Sequence, residues 1–208
     1  MNFNFDNHFN KKIIGVDEVG RGPLAGPVVA AACHFTRSNN KIINLKLFND
    51  SKKLSKEKRE RCFKHILELK KKSLIKFNIG ISTVKEIDLY NILNATLLAM
   101  KRAIQKTYVN KSLILIDGNV KPTIRGRDCQ TIIKGDQKSI SIAAASIIAK
   151  IYRDNIMKKL SNNFPYYGWD KNMGYGTSQH KNAINLIGYS EQHRKSFNPV
   201  KNLIHKNK

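Results

Sequence analysis

The chain has 208 residues, with 38 Lys and Arg against 15 Asp and Glu, giving a formal charge of +23 at neutral pH. Its 41% apolar content supplies a core and excludes disorder as the overall state, and the length suits one domain, residues 1–208, with flexible ends at about 1–11 and 199–208. No apolar run approaches the roughly 18 to 20 residues that cross a bilayer; the polar, Asn-rich start Met1 to Asn10 lacks the layout of a secretory leader; and three widely spaced cysteines, Cys33, Cys62 and Cys129, exclude a disulfide framework or paired-thiolate zinc site, so a cytoplasmic protein with free thiols is expected.

In chain order, Ile13 to Asp17 is a short apolar run closed by the Gly-rich segment Gly20 to Gly26, and Pro27 to Phe35 is a second run. Both predict strands. A helix follows from Ser55, its N-cap, to Lys72. Residues Leu74 to Ile81 alternate with period two, as in a strand with one buried face, and Thr83 with Glu86 forms a capping box. Beyond it, Leu89, Ile92, Leu93, Leu97, Met100 and Ile104 recur at helical spacing as far as Lys106. The runs Leu113 to Ile116 and Thr131 to Ile133 predict strands buried on both faces. Ile140 to Ile151 fits a helix that Ala143 to Ala145 allow close to the sheet, and a last helix from Thr177 to Leu186 stops near Gly188. The alternation reads as a mixed α/β domain.

A surplus of positive charge this large attracts polyanions, even if abundant Lys, Asn and Ile reflect compositional drift in part. A membrane partner would require a basic amphipathic helix. The nearest candidate, Ser55 to Lys72, carries the ordinary core stripe Cys62, Phe63, Ile66, Leu67 and Leu69 instead, so nucleic acid is the favoured partner.

Set against this, few acids exist, and four of them stand at strand ends. Asp17 and Glu18 close the first run, Asp117 follows Ile116 directly, and Asp136 follows Ile133 across Lys134 and Gly135. Ligands of α/β sheets bind at that edge. Neighbours in a regular strand point to opposite faces, so Asp17 and Glu18 serve one site only if the strand breaks there. Each acid also has a purely structural reading: Asp117 with Gly118 as a tight turn, Asp136 as a helix cap, Asp17 or Glu18 as a solvated strand end. If the four converge, their repulsion must be offset, and hard divalent cations with oxygen ligands are the usual means. Two such ions roughly 3.5 to 4 Å apart suit hydrolysis of a phosphodiester.

Gly20, Arg21 and Gly22 are either a chain reversal or backbone able to approach a sugar or phosphate, with Arg21 offering a planar fork. The 2′-OH is the group that tells RNA from DNA. Ser51, Lys52 and Lys53 read as a solvated turn or a phosphate clamp, and Tyr175 as packing or a stacking platform.

These motifs resemble bacterial ribonuclease HII, the type 2 ribonuclease H. The matching stretches are GVDEVGRGPLAGPVVAAA from Gly15, NDSKKLS from Asn49, IDGN from Ile116, KGDQKSISIAAASIIAKIYRD from Lys134, GYGT from Gly174 and HRKSF from His193. They run the length of the chain in the family's order, and the first and fourth are the most specific. The related ribonuclease HIII group fits less well, since its members carry an additional N-terminal domain and only about a dozen residues precede the first strand here.

The resemblance implies a ribonuclease H-like mixed five-stranded sheet flanked by helices, with a helical C-terminal region. It places the metal-binding and catalytic acids on Asp17, Glu18, Asp117 and Asp136, and the element that reads the 2′-OH on Gly20, Arg21 and Gly22. The junction tyrosine falls on Tyr175, phosphate contacts on Ser51, Lys52 and Lys53, and an ancillary acid on Asp154. The implied reaction needs Mg²⁺ or Mn²⁺, two ions during catalysis. It hydrolyses RNA in RNA/DNA hybrids and cuts 5′ to single ribonucleotides in duplex DNA, leaving 3′-hydroxyl and 5′-phosphate ends. A monomer serving DNA replication and repair is expected. The sequence departs from the family at Asn172 and Met173, where a polar pair such as His-Lys is expected. Two rivals remain: a nuclease of the same fold that cuts DNA junctions, and a non-catalytic basic nucleic-acid binder.

Overall fold

The structure, a computed structural model, describes residues 1–36, 41–48 and 54–206. Among them, five strands form one mixed sheet in the order β3-β2-β1-β4-β5: β1 (Lys12–Val19), β2 (Val28–Phe35), β3 (Ile75–Ser82), β4 (Ser112–Asp117) and β5 (Asp128–Ile132). β1, β2 and β3 are antiparallel neighbours, whereas β4 and β5 run parallel to β1. This is the ribonuclease H-like arrangement expected from the resemblance.

β2 is buried at every position. Its small side chains alternate between two faces: Ala31 and Cys33 pack with α2 (Lys56–Lys71) and α5 (Ile140–Asn163), Ala30 and Ala32 with α3 (Val84–Lys106). α2 begins as the sequence predicts, Ser55 Oγ accepting the Lys58 N–H at 3.3 Å. The Thr83 and Glu86 capping box starts α3. α5 approaches β1 closely through the alanines and also through Gly15, where a Cβ would lie 2.1 Å from the Ser141 carbonyl carbon.

Two elements depart from the predicted pattern. β5 is the sheet's edge, not a strand buried on both faces, and Ile133 beyond it is 67% exposed. In α3, Asn91 adopts φ 64° and ψ 167° and kinks the helix. The phase shifts there, leaving Leu89 72% exposed, while Ile87, Ala95, Ala99, Met100, Ala103 and Ile104 form the buried face.

The C-terminal region is helical: α6 (Trp169–Asn172), α7 (Ser178–Ile187) and α8 (Val200–Lys206). Trp169, Tyr167, Ile184 and Val200 form its own cluster, which reaches Leu24 and Ala25 of the β1–β2 connection. The ends expected to be flexible carry short helices. In α1 (Asn4–Asn7) the buried Asp6 accepts the Ser141 N–H at 3.1 Å and its hydroxyl at 2.6 Å, and Val200 of α8 is buried. No helix among the described residues is long and apolar enough to cross a membrane.

Candidate active site

β1 runs unbroken through Asp17 and Glu18 to Val19, so the break that sequence logic required does not occur. The neighbouring strand brings the acids together instead. Val16 pairs in parallel with Ile116, which makes Asp17 and Asp117 the next residues on adjacent strands, and such strands lie about 4.8 Å apart. Asp17 is 3% exposed, and its Oδ1 accepts the Glu18 N–H at 2.7 Å. Burial first, then the charges of Glu18 and Asp117, hold its carboxyl well above the ordinary range, against a hydrogen bond from Ser146. Glu18 is raised too, by burial and by Asp117, with Arg21 opposing from 3.5 Å.

Asp117 Oδ1 accepts the N–H of Gly135 at 2.7 Å, and the Gly118 N–H donates to Ile132 at 3.0 Å. These bonds tie the end of β4 to the turn that carries Asp136. Lys134 takes the left-handed conformation, Gly135 and Asp136 open the short α4 (Gly135–Lys138), and Asp136 is buried. The cap of α5 is Ser139, whose Oγ accepts the Ile142 N–H at 3.2 Å. Asp136 is therefore not the cap of that helix.

All four groups are carboxylates, the donor type that hard divalent cations take. Asp17 and Glu18, raised by burial and by neighbouring carboxylate charge, gain from a cation, so the donor set fits Mg²⁺ or Mn²⁺. Among the described residues, no group of three or more His, Cys, Asp or Glu side chains is already drawn in to ligand distances.

The remaining candidates fall in three places. Gly22 and Tyr175 face each other: a Cβ on Gly22 would lie 3.8 Å from Tyr175 Cε1, and the Tyr175 ring is part-exposed. Arg21 is half-exposed beside Glu18. Asp154 is gripped by Lys150 at 2.8 Å, with Arg59 at 3.9 Å, in a groove between α2 and α5 that Lys56, Lys158 and Lys171 also line. Ser51, Lys52 and Lys53 lie outside the described residues.

Sequence reasoning missed four buried polar groups beneath the Gly20–Gly22 turn. Arg194 donates to the carbonyls of Gly20 (2.5 Å), Arg21 (2.8 Å) and Gly26 (2.9 and 3.1 Å). Arg153 donates to Ala25 (3.1 Å), Pro27 (3.0 Å) and Met173 (2.9 Å). Burial lowers both guanidinium groups, to about 9 for Arg194 and about 10 for Arg153. Behind them, Trp169 Nε1 donates to His180 Nε2 at 3.0 Å, His193 Nε2 lies 3.0 Å from the same atom, and His180 Nδ1 is 2.9 Å from the Tyr175 carbonyl. Arg153 and Arg194 do fall within recognised motifs, but arginine reads as surface charge by default.

Residues 14–200 match the family model described as Ribonuclease HII. A Ribonuclease HII from Wolbachia sp. subsp. Brugia malayi (strain TRS) is 48% identical over 200 residues, covering 96% of this chain and 94% of that protein. Among solved structures, the ribonuclease H2 from Pyrococcus horikoshii OT3 superposes with a TM-score of 0.74 at 23% identity, covering 94% of this chain and 98% of the other. Bst-RNase HIII in complex with Mn²⁺ gives a TM-score of 0.70 at 23% identity, over 95% of this chain and 70% of that one. Likenesses at that identity speak to the fold alone.

Proposed function

The chain belongs to the ribonuclease HII family and is an enzyme of the ribonuclease H type; from that premise we propose that it hydrolyses RNA in RNA/DNA hybrids and cuts 5′ to single ribonucleotides embedded in duplex DNA. The observation that carries this reading is the junction at the ends of β1 and β4. Asp117 raises the carboxyls of both Asp17 and Glu18, and its own Oδ1 holds the turn bearing Asp136.

In this reading Asp17, Glu18, Asp117 and Asp136 hold two Mg²⁺ or Mn²⁺ ions. Ions held by these carboxylates would supply activation of a water and charge stabilisation of the leaving oxygen, and the ends expected are 3′-hydroxyl and 5′-phosphate with no covalent enzyme intermediate. The Mn²⁺ in the Bst-RNase HIII structure agrees with that cofactor class. Gly20 and Gly22 present backbone to the ribose, Tyr175 stacks on the adjoining nucleotide, and Arg21 faces a phosphate. Ser51, Lys52 and Lys53 clamp a flanking phosphate, and Asp154 plays an ancillary part from the neighbouring groove. The charge of +23 brings the polyanion to the acids. The enzyme works as a cytoplasmic monomer in DNA replication and repair.

The test is divalent-ion-dependent cleavage of a duplex bearing one ribonucleotide, alongside its all-DNA twin, by wild type and Asp17→Asn. Wild type should cut only the first, and the variant neither. Cutting of both duplexes points to a DNA nuclease of the same fold; cutting of neither points to a binding protein.

A further inference from the structure

Three segments far apart in the chain meet beside the acids. The Leu24 N–H donates to the Gly174 carbonyl at 2.8 Å, the Gly26 N–H to Gln192 at 2.9 Å, and the Arg194 N–H to Leu24 at 2.9 Å, while Ala25 bridges His193 as an isolated antiparallel pair. The two buried guanidinium groups close this junction from beneath. Arg194 spans the carbonyls of Gly20, Arg21 and Gly26; Arg153 spans those of Ala25, Pro27 and Met173. Gly20, at φ +97°, rests directly on Arg153, where a Cβ would lie 2.2 Å from Nε.

All of these hydrogen-bond acceptors are backbone oxygens. A planar guanidinium with up to five donors in a fixed fork sets the relative positions of several carbonyls at once, whereas the three rotatable donors of an ammonium impose no such fixed plane. The carbonyls chosen flank the two recognition elements: Gly20 and Arg21 on one side, Met173, two residues before Tyr175, on the other. We propose that Arg194 and Arg153 are positioning residues that hold the Gly20–Gly22 turn at a fixed distance from Tyr175 and thereby set the enzyme's grip on the ribonucleotide. The inference rests on the substrate reading above and adds to it the parts that keep the sugar site in shape. Neither arginine contacts substrate. His180, through the Tyr175 carbonyl, braces the same site from the far side.

Arg194→Lys removes the fork and changes the chain's net charge of +23 by one unit at most, so a large loss cannot be assigned to weaker long-range attraction. Well below the variant's melting temperature, kcat/KM on the single-ribonucleotide duplex should fall about 10- to 100-fold, mostly through a higher KM. Mn²⁺ binding to the acids, measured by calorimetry without nucleic acid, should be unchanged. A folded Arg194→Lys with wild-type KM overturns the proposal and leaves the substrate reading standing. A wild type that spares this duplex overturns both. Should Arg194→Lys fail to fold, Arg153→Lys carries the same test. Should that fail too, backbone order parameters of Gly20 to Gly22 in wild type decide: about 0.85 supports a held turn, and below about 0.6 overturns it.

Discussion

Two neighbouring regions bury like charges, and they resolve the repulsion in opposite ways. At the ends of β1 and β4, Asp17, Glu18 and Asp117 crowd together with Arg21 as the cation that eases Glu18. Beneath the Gly20–Gly22 turn, Arg153 lies close enough to Arg194 to add to the burial that disfavours the Arg194 charge, yet the N–H groups of both are taken up by loop carbonyls. Loop backbone has spare carbonyls to offer a guanidinium, and a planar donor array uses several at once. A carboxylate needs donors or cations, and the N–H groups of Glu18 and Gly135 supply only a part. The arginine junction is complete within the fold, whereas on the proposed function the acidic edge is completed by cations from solution. On that reading the first is scaffold and the second chemistry.

The sharpest way to break that division is Asp117→Asn. If the acidic edge exists to hold cations, cleavage should fall by about three orders of magnitude or more, equivalent to the several kcal/mol that metal-ion charge stabilisation supplies. Duplex binding by the basic surface should persist. Single-turnover cleavage and a binding isotherm, both on the embedded-ribonucleotide duplex, check this; loss of binding together with cleavage would assign Asp117 to the scaffold.

The acids were legible in the sequence because each follows an apolar run, and a run of that kind ends where a parallel strand meets solvent. The meeting of Asp17 with Asp117 was legible only through strand order, since it follows from the parallel register of β1 and β4 and not from a break at Glu18. The arginine junction was not legible. Nothing local distinguishes Arg153 from the nearby cation Lys158, because two of its carbonyl partners lie more than a hundred residues upstream and the third is Met173, beyond the end of its helix. The exposed Leu89 was misread for a related reason. Helical spacing assumes an unbroken phase, and the Asn91 kink interrupts it. β5 was misread because apolar composition does not say which strand lies at the edge.

The scaffold side of the comparison has its own titration. Ser190 N–H donates to His193 Nδ1 at 2.9 Å, which leaves His193 Nε2 to carry its proton toward His180 Nε2, already the acceptor from Trp169. A second proton on His180 Nε2 would have no acceptor there, and one on His193 Nδ1 would displace the Ser190 N–H, with only the Ser190 Oγ at 3.0 Å to receive it. Burial first, then the facing His180, lower His193 to about 4. A histidine depressed in the fold binds more protons when unfolded, so its stabilisation is complete above the unfolded value near 6.5 and is lost as pH falls toward 4. Urea denaturation between pH 7 and pH 4.5 should show a His193 contribution to the loss of about 2 to 3 kcal/mol, so that the loss is smaller by that amount in His193→Gln. A loss of the same size in the variant would place the acid sensitivity elsewhere.

The smallest expected effect runs in the opposite direction. Asp17 is raised well above its ordinary value chiefly by burial. The unfolded chain gives up that proton more readily, so the contribution of Asp17 to stability falls as pH rises from about 4. Asp17→Asn does not titrate and keeps an oxygen to accept from Glu18 N–H and Ser146. In chelator at pH 7 the variant should be more stable than wild type by an amount on the order of 1 kcal/mol, with the gap closing near pH 4. Adding Mg²⁺ should then raise the melting temperature of wild type and leave that of the variant nearly unchanged, because ion binding stabilises only a fold that holds the ion. An Asp17→Asn protein less stable than wild type in chelator would mean that the carboxyl, through its bonds to Glu18 and Ser146, braces the sheet edge as the arginines brace the loops.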